Sequence, residues 1–115
     1  VCVSLETFEH LPPERLDEYL QSIRKVTSET LVISTPQRKT EEWVYDGGTH
    51  LYEYSAEEFL EALKRNFPND EIGGFGIIEA PLKTDYPNID YQWGSTITTN
   101  LSRAWVMVGI ISLNK

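Results

Sequence analysis

The chain has little cysteine, little positive charge and no long apolar run. Its one cysteine, Cys2, rules out a disulfide within the chain, which fits a reducing compartment. No apolar run approaches the ~20 residues that a membrane span needs. No positively charged segment leads into an apolar one at the start, as a signal peptide requires. These absences predict a cytoplasmic protein with no membrane partner.

Positive charge is scarce: 10 basic residues stand against 18 acidic ones, and the formal net charge is −8. This balance argues against broad, non-specific binding to nucleic-acid phosphates, although it leaves a local basic groove open. Two motifs are missing as well. The Gly-Gly-Phe-Gly run at residues 73–76 lacks the Lys-Ser/Thr ending of a phosphate-binding loop and precedes a strand. The sequence also contains no serine nucleophile elbow.

The remaining pattern alternates strands with helices, which predicts a single α/β domain over residues 1–115. Apolar and β-branched residues cluster in four predicted strands, at residues 1–5, 30–35, 71–80 and 103–113. No helical pattern separates the last two strands, so we expect them to pair antiparallel through residues 81–100. Within that connection, residues 81–94 have the composition of turns.

Two helices are predicted between these strands. Pro12-Pro13 opens the first, whose apolar residues recur at helical spacing as far as Val26. Ser55 and Glu58 form a capping box that starts the second. The segment 37–49 has no clear period, so we predict a loop there, with a short helix at 41–45.

Glu6, Glu9 and His10 follow the first strand at spacings that place them on one face of a helical turn. This pattern has three interpretations: a solvated first turn of a helix, an acid/base group, or part of a metal site. Two carboxylates and an imidazole need one further ligand, and such a mixed set suits Mg²⁺ or Mn²⁺. His50, the only other histidine, lies in the loop after the second strand. It would emerge at the same edge of a parallel sheet as Glu6.

Three blocks of this sequence resemble the C-terminal half of a class I S-adenosylmethionine-dependent methyltransferase. The first strand ends in the family's S-x-E-x-x-E-H pattern, here SLETFEH, and the second ends in STPQR. HLYEYSAEEF then matches the segment that opens the next helix in that family. The resemblance covers residues 1–76, and RAWVMVGI fits the closing antiparallel hairpin.

The resemblance implies a partial Rossmann-like methyltransferase sheet. The family's strand order is 3-2-1-4-5-7-6, and this chain would supply strands 4, 5, 6 and 7, the last of them antiparallel. Strands 1 to 3 would be missing, together with the glycine-rich loop and the acidic residue that hold the cofactor. A missing N-terminal half or a second chain would then complete the sheet.

The same resemblance assigns roles to the residues of the first block. Val3, Ser4, Leu5 and Glu6 would border S-adenosylmethionine, while Glu9, His10 and His50 would face the methyl acceptor as catalytic residues. The implied activity is methyl transfer to a hydroxyl or similar group of a small molecule or an RNA. Glu6, Glu9, His10 and His50 also resemble the divalent-metal ligands of RNA 2′-O-methyltransferases. A truncated, non-catalytic module that pairs with another chain is the remaining alternative.

Overall fold

The structure is a computed structural model that describes residues 1–83 and 91–115, and the side chains of 1–78 and 97–115. Its strands are β1 (Cys2–Leu5), β2 (Thr30–Pro36), β3 (Glu71–Lys83), β4 (Tyr91–Thr98) and β5 (Val106–Ser112). Its α-helices are α1 (Leu16–Val26) and α2 (Ala56–Asn66), and short 3₁₀ turns cover Phe8–His10, Pro13–Arg15 and Leu101–Arg103. The chain is therefore a small α/β domain.

The five strands form one mixed sheet in the order β1-β2-β5-β3-β4. β1 runs parallel to β2, with Val3 opposite Val32. β5 lies antiparallel between β2 and β3, which confirms the predicted antiparallel pairing of the last two predicted strands. The order β1-β2-β5-β3 is the order 4-5-7-6 that the family resemblance implies for these four strands.

Both helices begin where local chemistry satisfies their first N–H groups. The capping box of α2 is present: the Glu58 N–H donates to Ser55 Oγ at 3.1 Å, and Ser55 N–H donates to Glu58 Oε1 at 3.0 Å. α1 begins at Leu16, later than the proline pair suggests, because Pro13–Arg15 forms a 3₁₀ turn first. Val26, which the spacing places toward the core, is exposed in the last turn of α1.

The core lies between one face of the sheet and the two helices. It is built from fully buried aromatic and aliphatic side chains, which include Phe8, Leu20, Leu31, Ile33, Phe59, Leu63 and Ile111. Gly109 of β5 lets α2 approach closely, since a Cβ there would lie 2.8 Å from Leu63 Cδ1. Burial of such side chains contributes roughly 1.5–3 kcal/mol each and provides most of the stabilisation of the fold.

The opposite face of the sheet carries no helix among the residues that the structure describes. Val3 and Leu5 of β1 are 55% and 58% exposed there, and Ile97 of β4 is 70% exposed. No helix in the described ranges is both long and apolar enough to cross a bilayer.

Two further sequence predictions differ from the structure. The segment 41–45 is not helical, because nearby polar groups bind the loop backbone locally: Thr40 Oγ donates to Glu42 O at 2.6 Å. β4 occupies part of the region predicted as turns, and its Ile97 pairs with Ile77 of β3. β3 takes in residues 81–83 of the same region, and residues 84–90 lie outside the described part of the chain.

Candidate functional site

The candidate site begins with a sharp backbone turn at the carboxyl end of β1. The Glu6 N–H still donates to Ser34 O of β2 at 3.0 Å, as a continuing parallel ladder would. Glu6 then adopts a φ of 53°, in the left-handed region that non-glycine residues rarely occupy. This turn directs Phe8 into the core and brings Glu9 beneath the ends of β1 and β2.

Glu9 is an acidic side chain that is only 1% exposed. Thr35 of β2 donates its hydroxyl to Glu9 Oε2 at 3.0 Å. The Glu9 carbonyl accepts the N–H groups of Leu51 and Tyr52, at 2.6 and 3.3 Å, so the loop after β2 is attached to this residue. A buried charge is expensive unless it is paired, and the second carboxylate oxygen of Glu9 faces His10.

His10 and His50 pack edge to face, with ring centroids 4.9 Å apart and an interplanar angle of 87°. His10 Nδ1 lies 2.9 Å from the Thr49 carbonyl, and His50 Nδ1 lies 3.1 Å from Glu53 Oε1. Carbonyl and carboxylate oxygens only accept, so we assign the hydrogen of each neutral ring to Nδ1. Both Nε2 atoms are then left with a lone pair, and each ring is held by a hydrogen bond on its other nitrogen.

These groups converge on one small volume. Ligand atoms of Glu9, His10 and His50 lie within 4.8 Å of one another, and His10 Nε2 is 3.5 Å from Glu9 Oε1. An imidazole lone pair that faces a carboxylate oxygen needs either a proton or a cation between the two atoms. One carboxylate and two imidazoles form a donor set that fits a divalent first-row metal such as Mn²⁺.

Glu6 lies beside this group without belonging to it. Its Oε1 accepts a hydrogen bond from Ser34 Oγ at 3.3 Å. Partial burial raises the pKa of the Glu6 carboxyl above its ordinary value of 4.5, and the Glu9 carboxylate raises it further. Of the four predicted metal ligands, the structure thus brings three together and leaves Glu6 at the edge of the group.

The four residues predicted to border the cofactor are divided between the two faces of the sheet. Ser4 is buried on the helix side, where its Oγ lies 2.6 Å from the Tyr19 hydroxyl. Val3 and Leu5 point to the uncovered face. The β1 edge opposite β2 pairs with no other described strand.

Three supporting residues were missed in the sequence. Thr35, Thr49 and Glu53 bind Glu9, His10 and His50 in that order. Thr35 stands within the quoted STPQR block, and Glu53 follows His50 by three residues, so both carried a sequence signal. The Thr49 contact is made by a backbone carbonyl, and no residue type could have indicated it.

Comparison with known proteins identifies the fold alone. No protein-family model matches the sequence, and no curated protein is a significant match. The structure is similar to a chain of the Pnkp1/Rnl/Hen1 RNA repair complex, with a TM-score of 0.59, 14% identity and 96% of this chain covered. It is also similar to the small RNA methyltransferase HEN1, with a TM-score of 0.63, 12% identity and 98% coverage. This chain spans 21% and 13% of those two chains.

Proposed function

We propose that this chain is the acceptor-side half of an S-adenosylmethionine-dependent methyltransferase that methylates a hydroxyl group. The observation that carries the proposal is the convergence of Glu9, His10 and His50 at the carboxyl ends of β1 and β2. Open α/β sheets place their ligands at this edge. The fold likeness to the small RNA methyltransferase HEN1 supports the same assignment.

The sheet order supports a Rossmann-like methyltransferase sheet that is present in part. β1, β2, β5 and β3 take the positions of strands 4, 5, 7 and 6. Strands 1 to 3 would extend the sheet from the free edge of β1, next to Val3 and Leu5. Since half of the cofactor pocket would lie beyond that edge, we expect the 115-residue chain alone to bind S-adenosylmethionine weakly. Calorimetry that finds tight binding by this chain would contradict the half-site.

In this proposal the residues from Val3 to Glu6 position the methyl donor, and His10 and His50 act on the acceptor. When bound, S-adenosylmethionine supplies an electrophilic methyl group on its sulfonium sulfur. The backbone from Val3 of β1 to Glu6, just beyond the strand, would border the cofactor and align its methyl group with the acceptor oxygen, so that proximity would provide much of the rate. Nε2 of His10 or His50 would accept the hydroxyl proton while the methyl–sulfur bond breaks, so that the methyl group passes to the acceptor oxygen and the cofactor leaves as a neutral thioether. Glu9 stabilises the resulting imidazolium, because its Oε1 already lies 3.5 Å from His10 Nε2.

A metal-dependent site of the RNA 2′-O-methyltransferase type is the second candidate. Its specific support is the group of one carboxylate and two imidazoles whose Nδ1 atoms are hydrogen-bonded. Glu9, His10 and His50 would hold Mg²⁺ or Mn²⁺, with Glu6 nearby. Such an ion, when bound, lowers the pKa of an attached hydroxyl group. Two of the structural neighbours are a chain of an RNA repair complex and a small RNA methyltransferase, which favours RNA as the acceptor class.

Titration with Mn²⁺ alone tests this candidate. We expect the wild-type chain to bind the ion and His50→Ala to lose at least tenfold in affinity. Lys64→Ala, a change on the exposed side of α2, serves as the control. Equal affinity in the wild type and His50→Ala would remove His50 as a ligand.

A pairing module without catalysis is the third candidate, and the free edge of β1 favours it. Unpaired strand edges invite the addition of a strand from another chain. A concentration-dependent dimer in sedimentation would support this role, whereas a monomer at all concentrations would contradict it.

A methyl-transfer assay separates the two catalytic candidates from the pairing module. The longest encoded chain that contains these residues is incubated with labelled S-adenosylmethionine and either a short RNA or small hydroxyl acceptors. We expect wild-type activity to fall at least a hundredfold in His10→Ala and to persist in Lys64→Ala. Full activity in His10→Ala would refute the assigned acceptor side of the site. A strand followed by Gly-x-Gly-x-Gly, encoded upstream of Val1, would independently support the enzyme.

A further inference from the structure

The loop that carries His50 is long and has no regular structure of its own. It runs from the end of β2 to the start of α2, and its regular structure is limited to an isolated bridge between Gln37 and Tyr54. A flexible segment of this length loses substantial entropy when one of its side chains is held in place. Anchors between the loop and the rigid elements must therefore fix the position of His50.

One such anchor is a triangle of side chains, Arg38, Tyr52 and Glu58. The Tyr52 hydroxyl donates to Glu58 Oε2 at 2.6 Å. Arg38 Nη1 lies 2.9 Å from Glu58 Oε1 and donates to the Tyr52 hydroxyl oxygen at 3.2 Å. Arg38 follows β2 and Glu58 belongs to the first turn of α2, so Tyr52 is fixed against both elements that flank the loop.

Tyr52 is also bound to the candidate site through its backbone. Its N–H donates to the Glu9 carbonyl at 3.3 Å, and the N–H of Leu51 donates to the same oxygen at 2.6 Å. His50 precedes these two residues directly.

We propose that Tyr52 is a positioning residue: its hydroxyl, held by Glu58 and Arg38, fixes the loop so that His50 meets His10 and Glu9. This inference rests on the proposed metal-binding or acid/base function of those three groups. Tyr52 touches neither the ligand atoms nor a reacting atom, and it acts through the backbone of the two residues that precede it.

Tyr52→Phe tests the proposal with little disturbance of the fold. The substitution removes one hydroxyl, and the capping box of α2 stays intact because Glu58 binds Ser55 through its other oxygen. Tyr45→Phe is the matched control. It removes a hydroxyl from the same loop, but one whose hydrogen bond stays inside the loop, to Gly48 O at 3.2 Å.

Two measurements are made on the wild type and both variants. In a titration with Mn²⁺ alone, we expect Tyr52→Phe to weaken binding at least tenfold and Tyr45→Phe to leave it unchanged. In metal-free ¹H–¹⁵N spectra of the imidazole rings, we expect Tyr52→Phe to shift or average the His50 and His10 nitrogen signals. Thermal unfolding midpoints for the three chains identify any general loss of structure.

The outcomes distinguish a failure of the proposed Tyr52 role from a failure of the proposed metal site. If the wild type binds Mn²⁺ and Tyr52→Phe binds it equally well with unchanged ring signals, the positioning role is refuted. If both tyrosine variants lose affinity alike, general order of the loop is responsible and the role of the triangle is refuted. If the wild type binds no Mn²⁺, the metal site fails, while the ring signals still decide whether Tyr52 positions His50.

Discussion

Replacement of Glu6 by asparagine should stabilise this protein at the expense of its candidate site. Glu6 has a φ of 53°, and a non-glycine residue in the left-handed region costs roughly 1–2 kcal/mol. Asparagine tolerates this conformation better, because its short polar side chain binds the local backbone. We expect Glu6→Asn to recover about 1 kcal/mol of this strain, independent of pH.

A second contribution comes from the charge of the same side chain. Burial and the Glu9 carboxylate raise the pKa of Glu6 in the folded chain, so the folded state binds its proton more tightly than the unfolded state does. Stability from this group is therefore fully present below its ordinary pKa of 4.5 and is lost as the pH rises through the raised value. Any neutral residue at this position should show its advantage at pH 8 and lose it near pH 4.

Urea unfolding of three chains separates the two contributions. Glu6→Gln removes the charge and keeps the strain, whereas Glu6→Asn removes both. The difference between the two variants should be about 1 kcal/mol at either pH, or roughly 4 °C in unfolding midpoint for a domain of this size. Equal stability of Glu6→Gln and Glu6→Asn would show that the left-handed backbone at residue 6 costs no measurable free energy. A pH-independent advantage of Glu6→Gln over the wild type would refute the electrostatic argument.

Three further predictions concern stability alone. The Tyr54 hydroxyl is buried without a hydrogen-bond partner among the described residues, and burial raises its pKa to about 12. Tyr54→Phe should therefore raise the free energy of unfolding by about 1 kcal/mol in urea titrations, and a loss would indicate a partner. Arg24 binds both oxygens of Asp70 and lowers the pKa of that carboxyl. Asp70→Asn should cost roughly 1.5–3 kcal/mol at pH 7. That difference should fade as the pH falls below 3.8 through the lowered pKa of the wild type, and a constant difference would refute the ion pair. A Cβ on Gly76 would overlap the Ala104 side chain. Gly76→Ala should therefore lower the melting temperature by an amount that corresponds to roughly 1–3 kcal/mol. An unchanged melting temperature would show that the backbone of β3 shifts to make room.

Much of the fold could be predicted because its signals are local. The spacing of Leu20 and Phe59 with their neighbours marks the two helices, and both side chains are buried as predicted. The capping box at Ser55 predicts that α2 begins at Ala56, as it does. The pairing of β3 with β5 followed from the absence of a helix between them, whereas the place of β5 beside β2 came from the family resemblance.

The candidate site was predictable only as a set of residue types. The spacing of Glu9 and His10 and the later His50 indicated the group that the structure brings together. The left-handed backbone at Glu6 was not predictable, because the residue type itself disfavours that conformation. The contact of Tyr52 with Arg38 depends on the path of a loop without periodicity, so no pattern in the sequence announced it.

The position of β5 has a consequence for how the protein is made. β5 is the last of the described strands along the sequence, and it is the strand that joins β1 and β2 to β3 and β4. During synthesis the β1-β2 pair and the β3-β4 pair cannot join until residues 106–112 have been translated. Until then each pair has an open edge and exposed apolar residues. Truncation before Val106 should therefore give a product that aggregates, while the candidate site residues at the other end of the chain remain intact in sequence.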